Sequence, residues 1–217
     1  MTTRRLQLAA LLLAGLAAGR AGIIDRIAVS VGNRVITESE IEREARLTAF
    51  LNNQPPDFTP AARRKTADRL VEQRLVLREL EAARYASPAE SEAGPLFEQV
   101  RVRYGTPAAY QEALRKYGIT EKDVRDHLLW QLAFLRFIDI RFRPGVQVTD
   151  QEVLDYFQKV IRPAARQADP GKEPALEEYR GRIEETLAGQ RVDQDLQRWL
   201  EAARRRTRVE YREGAFQ

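Results

Sequence analysis

The strand-type patterns of this 217-residue chain lie at its two ends, and this arrangement restricts the possible folds more than any other feature. Residues 25–31 alternate apolar and polar side chains, Gly32-Asn33 has the composition of a type II′ hairpin turn, and residues 34–36 form the return strand. A two-stranded hairpin is only marginally stable alone, so it needs a third strand. The alternating pattern at residues 207–212 is predicted to supply it. The alternative is that residues 204–217 form a frayed basic tail.

Between the two ends, helix-start signals recur. A Ser or Thr followed three residues later by an acidic residue caps a helix, because each side chain accepts a hydrogen bond from the backbone N–H of the other. Such caps stand at Thr37, Ser87, Thr120 and Thr149. Pro88 and Pro107 fit the first helical position, and Gly118 fits a helix end. The predicted helices cover residues 38–53, 60–86, 88–104, 107–117, 121–143, 150–162 and 175–205.

Two of these helices indicate how the chain packs. The helix at residues 121–143 is apolar on most of its sides, including Leu128, Leu135 and Phe142, and is predicted to lie buried at the centre of the domain. The helix at residues 175–205 carries two apolar stripes and is long enough to cross the whole domain. The sequence therefore predicts a mainly α-helical domain with a small antiparallel sheet, formed by the N-terminal hairpin and a C-terminal strand.

The first 21 residues have the layout of a secretory signal peptide. Arg4 and Arg5 precede an apolar run of 13 residues, whereas a membrane-spanning helix needs about 20. We therefore expect an exported protein with one folded domain, residues 22–217, and no stable membrane insertion after cleavage. An uncleaved amphipathic anchor is the alternative. Loss of residues 1–21 removes three arginines and lowers the formal net charge from +4 to +1, so the charge gives no indication of nucleic-acid binding.

The inventory of reactive side chains is small. The chain has no Cys, so it has neither disulfides nor thiolate metal ligands. Its one histidine, His127, has no companion His or Cys and is predicted to be a partly buried packing residue rather than a general base. Glycine-rich phosphate loops, nucleophile elbows and His-Glu-x-x-His zinc motifs are absent from the sequence. We expect no catalytic residues, no bound metal and no cofactor.

The order of several segments resembles that of SurA-type periplasmic chaperones and their parvulin-linked relatives. The run IDRIAVSVGNRVITESEIE is similar to their hairpin and first helix, and ADRLVEQRLVLRELEAARY is similar to their second helix. The pairs Tyr104-Gly105 and Tyr117-Gly118, the helix that ends near Phe142 and the run VQVTDQEVLDYFQ follow in the same order. The likeness covers roughly residues 25–160 and 176–212.

This chain differs from that family in one segment. In SurA-type chains, one or two parvulin prolyl-isomerase domains precede the last long helix, whereas here a predicted loop, residues 163–174, separates an N-terminal part (22–162) from a C-terminal helix and strand (175–217). The resemblance therefore implies an ATP-independent periplasmic holdase for unfolded outer-membrane or secreted proteins, without isomerase activity. The alternatives are a parvulin-type prolyl isomerase and an envelope adaptor that binds one folded partner.

Aromatic side chains are the candidate contacts for unfolded clients. A holdase needs an apolar surface that unfolded polypeptides contact reversibly, and such a surface exceeds the apolar patches of ordinary monomers. The candidate peptide-binding residues are Phe97, Tyr104, Tyr110, Tyr117 and Phe157. Each of them is also consistent with a place in the ordinary hydrophobic core.

Overall fold

The computed structural model describes residues 25–169, 171 and 173–217, and these form a mainly α-helical fold with one small antiparallel sheet. The predicted signal peptide, residues 1–21, lies outside the described residues. The hairpin consists of β1 (Ile27–Val31) and β2 (Arg34–Thr37), and β3 (Val209–Tyr211) pairs with the other side of β1. None of the helices in the described part is long and apolar enough to cross a membrane.

The helices follow one another in the predicted order. They are α1 (Glu38–Leu51), α2 (Pro60–Ala82), α3 (Gly94–Val102), α4 (Pro107–Tyr117), α5 (Glu121–Arg141), α6 (Asp150–Tyr156), α7 (Arg162–Ala168) and α8 (Leu176–Arg205). The hydroxyls of Thr37, Thr120 and Thr149 accept a hydrogen bond from the backbone N–H three residues on, as predicted. At Gly118 a φ of +64° ends α4 in the left-handed conformation that glycine adopts without strain.

The two ends of the described part of the chain share one sheet, with β1 as its central strand. Val29 pairs with Tyr211 and Val31 pairs with Val209, both in antiparallel register. Gly32 has a φ of +59°, as the first central residue of a type II′ turn requires. The predicted third strand is confirmed, and the alternative of a frayed tail is wrong.

The helix predicted at residues 88–104 is interrupted. A short 3₁₀ turn, Glu90–Ala93, precedes α3, and the N–H of Ala89 donates to the Glu92 carboxylate at 2.7 Å, so Ser87 is not the cap residue. Pro95 explains the break, because it lacks the N–H that a continuous helix donates to the carbonyl four residues earlier.

The connection predicted as a loop at residues 163–174 is partly helical. α6 continues through a π-helical turn, Phe157–Ile161, directly into α7. Pro163 lies in the first turn of α7, where its missing N–H and its ring are accommodated next to the wider π turn. Residues 169–175 alone connect α7 to α8, so the predicted loop was too long.

α8 connects separate apolar clusters along the length of the domain. Near its start, Ile183 packs with Val153 of α6. Further along, Leu196 packs with Phe137 of α5. Ala203, near its end, packs against the cluster beneath the sheet. The two stripes predicted for this helix therefore contact different partners, as a change of helical phase requires.

α5 is less buried than its apolar sequence predicted. Val124 and Leu128 are buried against Phe97 of α3, but Leu135, one heptad after Leu128, is 57% exposed. The cluster that covers the start of this face does not extend along it to Leu135. The prediction that Leu135 lies in the core was wrong. Periodicity identifies an apolar face of a helix, but it does not show how much of that face another element buries.

Removal of residues 208–217 is expected to destabilise the fold and to promote association. The deletion removes β3, in which the Tyr211 ring lies 3.5 Å from the Arg64 guanidinium and its hydroxyl donates to Asp68, and it removes the buried Phe216 ring. Each aromatic loss costs about 3 kcal/mol, against a total stability of about 5–15 kcal/mol. The truncated protein should melt at a clearly lower temperature, and β1 should become an exposed edge. Circular dichroism and light scattering measure both effects.

A pair of point variants gives the matched control. Phe216→Ala should reduce the free energy of unfolding by about 3 kcal/mol, whereas Phe58→Ala, at a ring that is 38% exposed, should cost less than about 1 kcal/mol. A truncated protein that stays monomeric and melts with the full chain would show that the sheet contributes no stability.

Candidate functional site

The predicted peptide-binding residues do not form a single surface. Four of them belong to one cluster around Phe50, namely Phe97, Tyr104, Tyr110 and Tyr117. Phe157 lies in a different cluster, beside Tyr179 of α8. Phe97, Tyr110 and Phe157 are buried, and the remaining two are partly exposed. In this conformation a bound peptide therefore has access only to the outer edges of Tyr104 and Tyr117, and a role for all five in binding stays a prediction.

Two of these tyrosines hold the end of α1. The last carbonyls of a helix have no partner within it and need donors from elsewhere. The Tyr104 hydroxyl donates to the carbonyl of Phe50, and the Tyr117 hydroxyl donates to the carbonyl of Gln54, each at 3.0 Å. Arg103 donates to the carbonyl of Leu51 at 3.2 Å. The two tyrosine hydroxyls thus hold the end of α1 and the following loop in place, a role that helical periodicity did not indicate.

Tyr110 lies deeper in the same cluster. Its ring contacts the rings of Phe50, Phe97 and Tyr104 edge-on, with centroids 5.9–6.2 Å apart. Its hydroxyl is buried without a hydrogen-bond partner among the described residues, and burial raises its pKa to about 12. Such a group costs free energy, which the packing of three aromatic neighbours offsets.

A cleft of about 400 Å³ lies between α1, α2 and α5. α5 lines it with four residues at the spacing i, i+3, i+4, i+7, which places them on one face of the helix: His127, Trp130, Gln131 and Phe134. α2 lines it with a stripe of the same spacing: Arg69, Glu72, Gln73 and Val76. Glu44 and Thr48 come from α1, and Leu200 comes from α8. The sequence contained both stripes, but their mixture of polar and apolar residues did not identify them as one site.

The apolar wall of this cleft is a stacked aromatic pair. The rings of Trp130 and Phe134 have centroids 5.6 Å apart and planes 25° apart, and both are partly exposed. Leu70 and Val76 lie buried at the back of the cleft. The two rings therefore form a preorganised aromatic surface for an apolar side chain that enters the cleft.

His127 and Glu44 form the polar part of the cleft. The Nδ1 atom of His127 lies 3.8 Å from Oε1 of Glu44, and their side chains are 15% and 22% exposed. The Gln131 side-chain nitrogen lies 3.1 Å from His127 Nε2. When this amide donates to Nε2, the ring proton is on Nδ1 and faces Glu44. The predicted position of His127, partly buried in its helix, is confirmed.

The charged forms of several cleft residues are disfavoured. Burial, followed by the positive charge of Arg69, lowers the pKa of His127. Burial raises the pKa of the Glu44 carboxyl and that of the Glu72 carboxyl. Residues with shifted pKa values that share a concave site are candidates for a functional role, because folding alone does not favour them there.

A smaller cleft of about 150 Å³ adjoins the first. The two share Glu44, Leu70, Gln73, His127 and Trp130, so together they form one continuous groove. Among the described residues, no group of three or more His, Cys, Asp or Glu side chains is placed to hold a metal ion. The groove combines apolar walls with amide side chains that can hydrogen-bond a polypeptide backbone, and this chemistry suits binding.

No protein-family model matches this chain, and no curated protein matches it. The resemblance to SurA-type chaperones therefore rests on the order of the segments in the sequence.

The position of His127 makes stability depend on pH. The pKa of His127 is lower in the folded protein than the ordinary value of 6.5, so the unfolded chain takes up a proton first as the pH falls below 6.5. The free energy of unfolding then decreases, by at most about 1.4 kcal/mol per pH unit, until the pH falls below the pKa of His127 in the folded protein. Urea denaturation of the protein and of His127→Gln between pH 7.5 and pH 5 should show the steeper loss in the unmodified chain. Parallel profiles would contradict the desolvation of this ring.

Proposed function

We propose that this protein is an ATP-independent periplasmic holdase that binds segments of unfolded polypeptides, including those of outer-membrane proteins, in the groove between α1, α2 and α5. The observation that carries the proposal is the stacked pair of Trp130 and Phe134, which lies partly exposed along a concave, largely apolar surface. Monomeric soluble proteins rarely leave one side of a stacked aromatic pair without a packing partner unless that side binds another molecule.

The dimensions of the groove favour a short extended segment. A volume of about 400 Å³ is at the small end of the range for ligand pockets, about 300–1,000 Å³, and accommodates one or two side chains rather than a folded domain. The amide groups of Gln73 and Gln131 can pair with backbone groups of any sequence, because every residue presents the same N–H and C=O. Such a site binds many clients weakly and releases them without nucleotide hydrolysis.

The sequence supports the same function independently of the groove. The N-terminal signal-type segment indicates export, the order of segments resembles SurA-type chaperones, and the sequence contains no nucleotide-binding motif. An exported holdase has to act without ATP, and reversible contact with an apolar groove meets that condition.

Trp130→Ala is expected to reduce holdase activity. The change removes half of the aromatic wall and about 1.5–3 kcal/mol of apolar contact with a client side chain, which corresponds to roughly a tenfold or greater loss of affinity. Leu135→Ala is the matched control, because Leu135 lies on the same helix, is 57% exposed and does not line the groove. Light scattering of an unfolded outer-membrane protein diluted from urea measures the suppression of aggregation.

Gln131→Ala supplies a second variant that does not reduce apolar packing, since Gln131 is exposed. It should weaken peptide binding with little change in melting temperature. Equal activity of the protein and of the Trp130→Ala, Gln131→Ala and Leu135→Ala variants would place the binding surface elsewhere. Crosslinking to a single folded partner in place of a spread of clients would favour the adaptor alternative.

We further propose that the protein does not catalyse prolyl isomerisation. In SurA-type chains the parvulin domains stand between the helix that follows VTDQE and the last long helix. Here only α7 and residues 169–175 lie between α6 with its π turn and α8, and these residues are too few to hold a domain. A protease-coupled assay with a proline peptide should give the uncatalysed rate at micromolar protein. Acceleration that persists after further purification and disappears in His127→Gln would contradict this.

A further inference from the structure

We infer that the groove selects client segments in which a basic side chain, arginine or lysine, stands next to an apolar one. This inference rests on the proposed function and names the class of segment that the groove prefers. It follows from the charges that line the groove and from the partners that they lack.

Two carboxylates in the wider cleft have no permanent cation beside them. Among the described residues, the one basic nitrogen within 4.0 Å of the Glu44 carboxylate belongs to His127, and none lies that close to the Glu72 carboxylate. Because the pKa of His127 is lowered, its ring is neutral at pH 7 and does not compensate Glu44. The wider cleft is lined by two carboxyl groups and one guanidinium, that of Arg69, so its acidic groups outnumber its basic one and a ligand cation can pair with them.

The arginines that act on these carboxyl groups form no ion pair with them within 4.0 Å. Arg69 lines the cleft and acts on Glu44 at longer range, but its guanidinium donates to the Thr66 hydroxyl at 3.2 Å. Arg204 acts on Glu72 in the same way. In both carboxyls burial outweighs these cations, because the net effect is a raised pKa.

The smaller cleft differs in its other acidic residues. It shares Glu44 with the wider cleft, but each of its remaining acidic side chains is paired with a basic one: Glu40 with Arg74, Asp123 with Arg43 and Asp126 with Lys122. Only the wider cleft is lined by both Glu44 and Glu72, and it also contains the Phe134 side of the aromatic wall. A ligand cation therefore finds two carboxylates without a permanent cation in the wider cleft.

The aromatic wall suits the same ligand. A guanidinium or ammonium group is attracted to the face of an aromatic ring, and an indole such as Trp130 attracts it most strongly. The protein already uses this contact in its own packing, since the Arg125 guanidinium lies 3.9 Å from the centroid of the Phe97 ring. A client arginine beside Trp130 can contact the face of the indole ring and pair with a carboxylate at the same time, while its apolar neighbour packs against Phe134.

Fluorescence anisotropy with two labelled peptides tests this selection. The peptides are unstructured twelve-residue segments that share one phenylalanine and differ at the adjacent residue, arginine in one and glutamine in the other. At pH 7 the arginine peptide should bind about five- to tenfold more tightly, the scale of one ordinary hydrogen bond in water. In Glu72→Gln this preference, taken as the ratio of the two affinities, should fall to about twofold or less.

Glu79→Gln is the matched control, because it removes the same charge from the same helix at a position outside the groove, and it should keep the full preference. If both peptides bind equally well to the unmodified protein, or if Glu72→Gln and Glu79→Gln have equal effects, the charge selection is wrong and the holdase function stands. If neither peptide binds and aggregation is not suppressed, the proposed function fails together with the selection.

Discussion

The pairing of β1 with β3 is the interaction on which the rest of this structure depends. It brings the two ends of the described chain together and fixes the C-terminal end of α8, a helix of 30 residues. The cluster beneath the sheet includes Ala67, Leu70 and Val71 of α2, so the sheet also sets the position of that helix. Leu70 belongs to this cluster and lines the groove as well, and through it the position of the groove wall depends on the sheet.

The other walls of the groove are fixed by contacts of different kinds. Two partly buried ion pairs, Glu40 with Arg74 and Glu42 with Arg63, join α1 to α2. Pairs of this kind are screened less by salt than surface pairs, and they fix the distance between the two helices. The far end of α1 is held by the hydroxyls of Tyr104 and Tyr117. The groove is therefore largely formed before any ligand arrives, so binding does not have to order its walls.

Local signals in the sequence predicted much of this fold. Caps such as Thr149, the helix end at Gly118 and the alternation near Val209 each depend on a few neighbouring residues, and the structure confirms them. The failures concern contacts between distant residues. Tyr104 and Phe50 are 54 positions apart, and no periodicity links a hydroxyl to a carbonyl over such a distance. Leu128 and Leu135 occupy the same helical stripe, yet only Leu128 is buried, because burial depends on which neighbours the fold places against each position.

The candidate site was missed for the same physical reason. Its stripes on α2 and α5 mix glutamine, glutamate and histidine with Trp130 and Phe134, and a mixed stripe has no clear apolar face in a periodicity analysis. The signal for aromatic binding residues pointed instead to tyrosines that the fold uses to fasten α1. Aromatic content alone thus does not distinguish a ring that packs in the core from a ring that is exposed in a cleft.

The location of exposed apolar groups supports the groove over the rest of the surface. Val102, Leu135 and Ile140 are each more than half exposed, but single exposed apolar residues are common on soluble proteins and need no partner. Trp130 and Phe134 differ because they lie stacked in a concave site beside polar groups whose charged forms are disfavoured. A cleft of about 400 Å³ accommodates only one or two side chains of a ligand, so contact with it is weak. Weak contact agrees with the proposed holdase function, because a client that is bound too tightly cannot leave to fold.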